Sequence, residues 1–315
     1  MCTFIKHGHI AGRNLDVYKT YGEQIVITPR KYCISLRRED NIPDHYAIIG
    51  MGTVSRGYPL YFDAANEYGL YMAGLNYVGN ANYLPQRAGC VNLAPYELIP
   101  YILSKCKTVR NAEHELEKIN LTDIPFSREL PTAELHWVVA DSERAITVEP
   151  DAGGLNIYDN PVGVLTNNPP FSMQMMNLCD YADLRVDTPD NTLIPDIPLE
   201  IYSEGMGALG LPGDASSRSR FVRAVFHKAN SRHNDDPTAF FHLLSCVEMP
   251  DGSVMVGDAY ERTEYSSAVD LSTLTYYYRL YGSAGISAVR LCSENPDSHS
   301  LIRYPAVRHT PTYQN

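Results

Sequence analysis

Two groups of helical spacing interrupt a chain that otherwise reads as short strands, and this order limits the folds open to it. The opening reads as a β-hairpin: Cys2-Thr3-Phe4-Ile5, a turn at His7-Gly8, then His9-Ile10-Ala11. Strand-like stretches follow at 25–28, 46–50, 60–62 and 70–75, broken by Gly, Pro and Asn. Residues 94–106 and 109–119 then carry helical spacing, with Thr108 as a cap. A three-strand meander is expected at 134–140, 144–149 and 154–158, with Asp141-Ser142-Glu143-Arg144 as one turn. Helices resume at 218–230 and 237–247, where Pro237 suits a first helical position, and strands near 263–269, 274–281 and 285–291 close the chain. With no internal repeat and no linker, this mixture predicts a single α+β layered domain over 1–315. Residues 185–214 hold four prolines and little periodicity, the composition of a functional loop or of an arm reaching a neighbour.

Composition removes several function classes. The 315 residues are 44% hydrophobic and contain no apolar run near the length of about 18 that a membrane span needs. The first residues lack a basic stretch followed by an apolar one, so the expectation is a cytoplasmic protein. Seven cysteines, an odd number without a CxxC pair, argue against a disulfide framework and a zinc site. A formal charge of −11, with no basic run beyond pairs such as Arg37-Arg38, argues against nucleic acid. The 23 tyrosines suit an amphipathic ligand, and equally a β-rich core.

Most site signatures fail on context. Gly205-Met206-Gly207-Ala208-Leu209-Gly210 matches GxGxxG, but no strand leads in and Leu211-Pro212-Gly213 stands where a helix should begin. His114-Glu115 lacks the second histidine of a zinc-protease helix, and the ten histidines form no ligand-spaced cluster. There is no GxSxG elbow. No metal or organic cofactor is expected.

The chain begins Met1-Cys2-Thr3, and a small residue at position 2 lets the initiator Met be trimmed. Cys2 then carries both a nucleophile and a base, because an α-amine titrates near pH 8 and a thiol near about 8.5. An N-terminal amine acting as base for its own side chain is a known route to covalent catalysis. Four clusters join it: Gly12-Arg13-Asn14-Leu15-Asp16, Ala73-Gly74-Leu75-Asn76, Leu165-Thr166-Asn167, and Leu211-Pro212-Gly213-Asp214 leading to Ser219-Arg220-Phe221.

Together with Tyr61-Phe62-Asp63, Asn66-Glu67 and Leu135-His136-Trp137, these motifs resemble the choloylglycine hydrolase family of N-terminal-nucleophile amidases, over residues 1 to about 305. The resemblance implies a four-layer αββα sandwich with the cysteine at the end of a central strand. It implies that Cys2 attacks an amide carbonyl and that a thioester is then hydrolysed. Asp16 would orient the Cys2 amine, and Arg13 would lie beside the thiol, where positive charge favours thiolate. The Asn167 side-chain amide and the Asn76 backbone N–H would form the oxyanion hole, each such donor being worth about 3 kcal/mol. Arg220 would add positive potential.

Asn76, where the family's penicillin V acylases carry Tyr, leans the resemblance towards the bile salt hydrolases. Conjugated bile acids are then the expected substrate, with Leu15, Phe62, Phe126, Leu130 and Leu135 as the apolar wall and Tyr21 closing over it. Two alternatives stay open: a penicillin V or N-acyl homoserine lactone acylase, and an impaired bile-salt-binding homologue. A homotetramer is implied, with an arm at 186–210 crossing between subunits. Only ten residues separate Cys2 from Arg13, a short hairpin, and symmetric pairing about His7-Gly8 sets Cys2 opposite Arg13.

Overall fold

Strands β1 (Cys2–His7) and β2 (Ile10–Val17) form the opening hairpin, and all eight residues of β2 are buried. A strand is buried along its whole length only where both faces of its sheet are covered. The computed structural model describes residues 1–233 and 235–311.

Next along the chain come β3 (Gln24–Thr28), β4 (Ile48–Ser55), β5 (Tyr58–Asn66) and β6 (Tyr71–Asn76). A short parallel pair, β7 (Val91–Leu93) and β8 (Ile119–Leu121), brackets helices α1 (Leu98–Lys105) and α2 (Val109–Leu116). The meander β9 (Leu135–Ala140), β10 (Ala145–Asp151) and β11 (Gly154–Asp159) leads to β12 (Val164–Leu165) and α3 (Phe171–Asn177). Helices α4 (Ser217–Asn230) and α5 (Pro237–Ser245) follow a stretch at 185–205 that holds neither strand nor helix. Strands β13 (Val254–Val256), β14 (Ala259–Asp270), β15 (Thr275–Leu280), β16 (Ser287–Arg290) and β17 (Ile302–Pro305) complete the fold.

One antiparallel sheet runs β12-β1-β2-β14-β15-β16, with β13 paired to β14, and the other runs β11-β10-β9-β6-β5-β4-β3-β17. Helices α4 and α5 pack on β1, β2, β12 and β14, whereas α1 and α2 pack on β4, β5, β6 and β9. The result is the α+β four-layer αββα sandwich. Between the sheets Phe4 stacks on Tyr71 with ring centroids 5.6 Å apart. Under α1 lies a second core that includes Leu98, Ile102, Trp137 and Ile146, all fully buried. Each such side chain contributes about 1.5–3 kcal/mol, enough in sum to carry several buried charges near the first hairpin.

The expected local signals are in place at Thr108, whose Oγ1 accepts the Asn111 N–H at 3.2 Å, and at Pro237, which opens α5. The 205–210 segment forms a single 3-10 turn at Met206–Ala208, with no strand before it and α4 starting only at Ser217. No phosphate-cradling strand-loop-helix is built there.

The hairpin register corrects one expectation. The turn sits one residue later than His7-Gly8, at Gly8-His9, because a two-residue loop wants a positive φ at its first position and Gly8 supplies it at 56°. Cys2 therefore stands opposite Leu15, and Arg13 opposite Phe4. Moving a two-residue loop by one position shifts the pairing by two. Parity is kept, and Arg13 and Leu15 remain on the face that carries the Cys2 side chain.

Candidate active site

Cys2 ends the buried part of β1 and is only 2% exposed. Its backbone N–H donates to Asn167 Oδ1 at 2.8 Å. Its carbonyl accepts from Arg220 Nη1 at 2.6 Å, and the same nitrogen donates to Thr3 Oγ1 at 2.5 Å. Arg220 Nη2 adds a second donor to Asn167 Oδ1 at 2.8 Å. With two donors on Oδ1, the orientation of the Asn167 amide is settled by its partners, and Nδ2 donates to the Asn76 carbonyl at 2.8 Å.

Arg220 reaches this point from the first turn of α4. Ser216 caps that helix and Asp214 accepts from the Ser216 N–H at 2.9 Å. Arg220 Nε donates to the Ala215 carbonyl at 3.0 Å. Burial pulls its guanidinium below its ordinary value, while Asp16, 4.0 Å away, pulls it back up. Arg220 thus lies behind the Cys2 backbone and does not line the cavity described below.

Arg13 is fully buried on the thiol's face of β2. Its Nη1 donates to the carbonyls of Phe62 at 3.0 Å and Gly74 at 2.5 Å, where β5 and β6 part beyond their last pair, Asp63 with Ala73. Burial works against its charge, but the Cys2 thiol, Tyr265 and Asp63 outweigh it, so its pKa lies above the ordinary value. Asp63 in turn accepts from Tyr265 at 2.5 Å, Tyr276 at 2.7 Å and Ser267 at 3.0 Å. The cation is therefore held by the two carbonyls, with the negative charge of Asp63 attracting it at longer range.

Asp16 projects from the face of β2 opposite to the thiol, on the side of Arg220, whose Nη1 lies 4.0 Å from Oδ2. Its Oδ1 accepts from Thr263 Oγ1 at 2.6 Å, and Oδ2 has no hydrogen-bond partner among the described residues. Burial raises its pKa against the pull of Arg220 and the nearby chain terminus. Met1 covers Cys2 here: its amine donates to the Asp16 carbonyl at 2.6 Å and to Glu261 Oε2 at 2.9 Å.

Asn76 ends β6 opposite Leu135, whose own N–H goes to Tyr83 Oη at 2.9 Å, away from β6. By the alternation of an antiparallel ladder, the Asn76 N–H and carbonyl both point to the other side, where β5 no longer pairs. The carbonyl takes the Asn167 amide, and the N–H is left beside it. Asn167 Nδ2 and the backbone of Asn76, from different sheets, thus meet beside Cys2. Such a pair can hold an oxygen that gains negative charge.

A cavity of about 390 Å³ opens from Cys2. Leu15, Tyr21, Phe62, Phe126, Leu130 and Leu135 all line it, as do Cys2 and Asn76. Tyr21 tilts against Phe62 with centroids 5.8 Å apart. Sequence reasoning missed three of its wall residues, Tyr61, Gly74 and Trp137, although all three sit in motifs it singled out. A Cβ on Gly74 would come within 3.2 Å of Trp137 Nε1 and 3.3 Å of Leu135 Cδ1, so the missing side chain is what keeps this wall open. It also missed Lys19 and Glu129, the charged residues of the lining, which carry no local signal.

The profile of the linear amide C–N hydrolases, choloylglycine hydrolase family, matches residues 2–304. The bile salt hydrolase/transferase of Lactiplantibacillus plantarum is 47% identical over 313 residues, 97% of each chain. That of Clostridium perfringens is 33% identical over 317 residues, 96% of each chain. Among solved structures, the conjugated bile acid hydrolase of Clostridium perfringens superposes with a TM-score of 0.93 at 31% identity, covering 100% of both chains. A penicillin V acylase from Agrobacterium tumefaciens, at TM-score 0.76 and 19% identity over 96% of this chain and 90% of that one, shares the fold.

Proposed function

The chain belongs to the choloylglycine hydrolase family of linear amide C–N hydrolases, and on that premise we propose that it hydrolyses the amide bond of glycine- or taurine-conjugated bile acids. What supports this reading is that Cys2 and Asn76 both line an apolar cavity, with Asn167 hydrogen-bonded to each and the buried Arg13 charge acting on Cys2.

In this reading, removal of Met1 frees the Cys2 amine, and Asp16 and Asn167 Oδ1 orient it. The thiol loses its proton to the amine, Arg13 stabilises the thiolate, and a C–S bond forms as the carbonyl pair moves onto oxygen. Asn167 Nδ2 and the Asn76 N–H receive that oxyanion. The Asn167 amide has two hydrogens, so it serves the oxyanion without releasing the Asn76 carbonyl. Collapse breaks the C–N bond, with the α-ammonium protonating the leaving amine. Water then attacks the thioester, giving its proton to the α-amine, and the C–S bond breaks to restore Cys2. Arg220 holds the Cys2 carbonyl still throughout. The cavity wall of Leu15, Phe62, Phe126, Leu130 and Leu135, closed by Tyr21, takes the steroid.

The test is release of glycine or taurine from glycocholate and taurocholate by the protein trimmed of Met1, with Cys2→Ala beside it. Release that disappears in the variant supports the reading; retained release sinks the nucleophile assignment.

We further infer a single 1–315 domain that assembles as a homotetramer through an arm at 186–210. Supporting this, Leu193, Ile197, Leu199 and Tyr202 are exposed by 50–84%, an apolar stretch that a lone subunit leaves in water. Light scattering at the monomer mass would count against it. A cytoplasmic location is proposed as well; it suits seven unpaired cysteines, and cell fractionation decides it. No helix among the described residues is long and apolar enough to cross a membrane.

A further inference from the structure

The two donors proposed for the oxyanion come from different sheets: Asn167 follows β12 and Asn76 ends β6. Their separation is therefore set by whatever couples the sheets at this end. Besides the Asn167–Asn76 hydrogen bond itself, a second buried side chain does so. His136, on β9, stands in register with Leu75, one residue before Asn76, and its neighbour Leu135 pairs with Asn76 itself. Its Nε2 lies 3.0 Å from the Thr166 carbonyl, one residue before Asn167. Its Nδ1 lies 3.2 Å from Glu149 Oε1, and its ring stacks on Tyr77 at 4.4 Å and 6°. His136 and Glu149 are 0% and 3% exposed.

The Thr166 carbonyl can only accept, so Nε2 carries a hydrogen. Glu149 Oε1 also accepts the Phe171 N–H at 2.9 Å, which ties the same group to the start of α3. Whether the remaining proton sits on Nδ1 or on Glu149, the bond to Thr166 is the same. The ring is thus held by Glu149 and Tyr77 on one side and grips the Asn167 segment with the other.

We propose that His136 is a positioning residue for the reaction, one that fixes the spacing between Asn167 Nδ2 and the Asn76 N–H through its hydrogen bond to Thr166. The inference rests on the reading of those two groups as oxyanion donors. It touches neither substrate nor thiol. A spacer between donors acts on the charged intermediate and not on the apolar cavity, so its loss falls on kcat and spares KM. Displacement of a donor by an ångström costs as much as 100-fold.

Two amide replacements separate this role from plain core packing. In His136→Gln the terminal amide nitrogen reaches the place of Nε2 and keeps the donor to Thr166. In His136→Asn the shorter amide keeps only the place of Nδ1, towards Glu149. Both put one amide in the same buried space. Hydrolysis of glycocholate is measured for both, with Cys2→Ala as control and thermal unfolding to confirm the fold. The expected result is a kcat for His136→Gln within about 3-fold of the parent, and a loss of at least about 10-fold for His136→Asn with KM unchanged. Equal kcat values for the two variants, or a loss carried by KM, would overturn the proposal. Hydrolysis surviving Cys2→Ala would instead overturn the reading of the whole site.

Discussion

The side-chain amide of Asn167 donates to the carbonyl of Asn76 across 2.8 Å, joining the two sheets of the sandwich beside the Cys2 thiol. The same side chain accepts from the Cys2 N–H and from Arg220, so one residue ties nucleophile, second donor and buried cation together. Its own backbone is pinned: the Asn167 N–H donates to Ser217 Oγ at 2.8 Å, at the first residue of α4.

Replacing Asn167 by Ala removes one of the two proposed oxyanion donors and the hydrogen bond to the Asn76 carbonyl. The expected result is a kcat lower by about 10²–10³, with KM changed far less, because a donor aimed at developing charge acts in the transition state. Steady-state hydrolysis of glycocholate measures it. A loss under about 10-fold would show that this amide does not serve the oxyanion.

Arg13→Met tests the buried cation. The substitution removes the positive charge that opposes the effect of burial on Asp63, whose carboxyl already lies above its ordinary value and keeps its three hydroxyl donors. Loss of the hydrogen bonds to the buried Phe62 and Gly74 carbonyls, together with the cation's longer-range pull on Asp63, is expected to cost about 2–3 kcal/mol. Denaturant unfolding reads the change, and a loss below about 1 kcal/mol would mean that the Arg13–Asp63 attraction carries little of the fold.

Much of this architecture was legible because it rests on local rules. The helices α1, α2, α4 and α5 carry spacing that a single sequence displays, and Thr108 and Pro237 stand where capping and first-turn rules put them. The short elements β17 and α3 were not legible, since a strand such as Ile302–Pro305 exists only because β3 offers it an edge. The hairpin register went astray by one turn position: His7-Gly8 and Gly8-His9 read alike until the left-handed φ of Gly8 decides between them. The six cavity residues were reachable through family resemblance, as composition alone does not separate a cavity wall from a core. Lys19 and Glu129 were not reachable at all, being ordinary surface residues whose place on the cavity only the fold reveals.

Asp214 gives a pH signature. Hydrogen bonds from Ser216 and Ser219 hold its carboxyl down at about 2, against an ordinary value of 3.8. A depressed carboxyl contributes stability that is present above 3.8 and is lost as pH falls towards 2. Thermal unfolding of Asp214→Ala is thus expected to fall below the parent at neutral pH, by a small margin given the exposure of the group, and to converge with it near pH 2. A margin that persisted unchanged at pH 2 would assign it to lost packing.

Gly74→Ala tests whether the cavity is kept open by the lack of a side chain. The new methyl would lie 3.2 Å from Trp137 Nε1 and 3.3 Å from Leu135 Cδ1, tighter than ordinary contact but not a clash with backbone. Trp137 is fully buried in the core and cannot yield, so Leu135, half-buried at the cavity wall, is the group that gives way. Its movement is inward, narrowing the space offered to a steroid. Arg13 holds the Gly74 carbonyl, not its α-carbon, so the cation beside the thiol stays in place. Binding should suffer and chemistry should not: KM for glycocholate rises by about 10-fold, roughly the cost of 1.4 kcal/mol in apolar contact, with kcat within about 3-fold of the parent. A fall in kcat at constant KM would mean that Gly74 acts through Arg13 and the thiol, and that the cavity wall lies elsewhere.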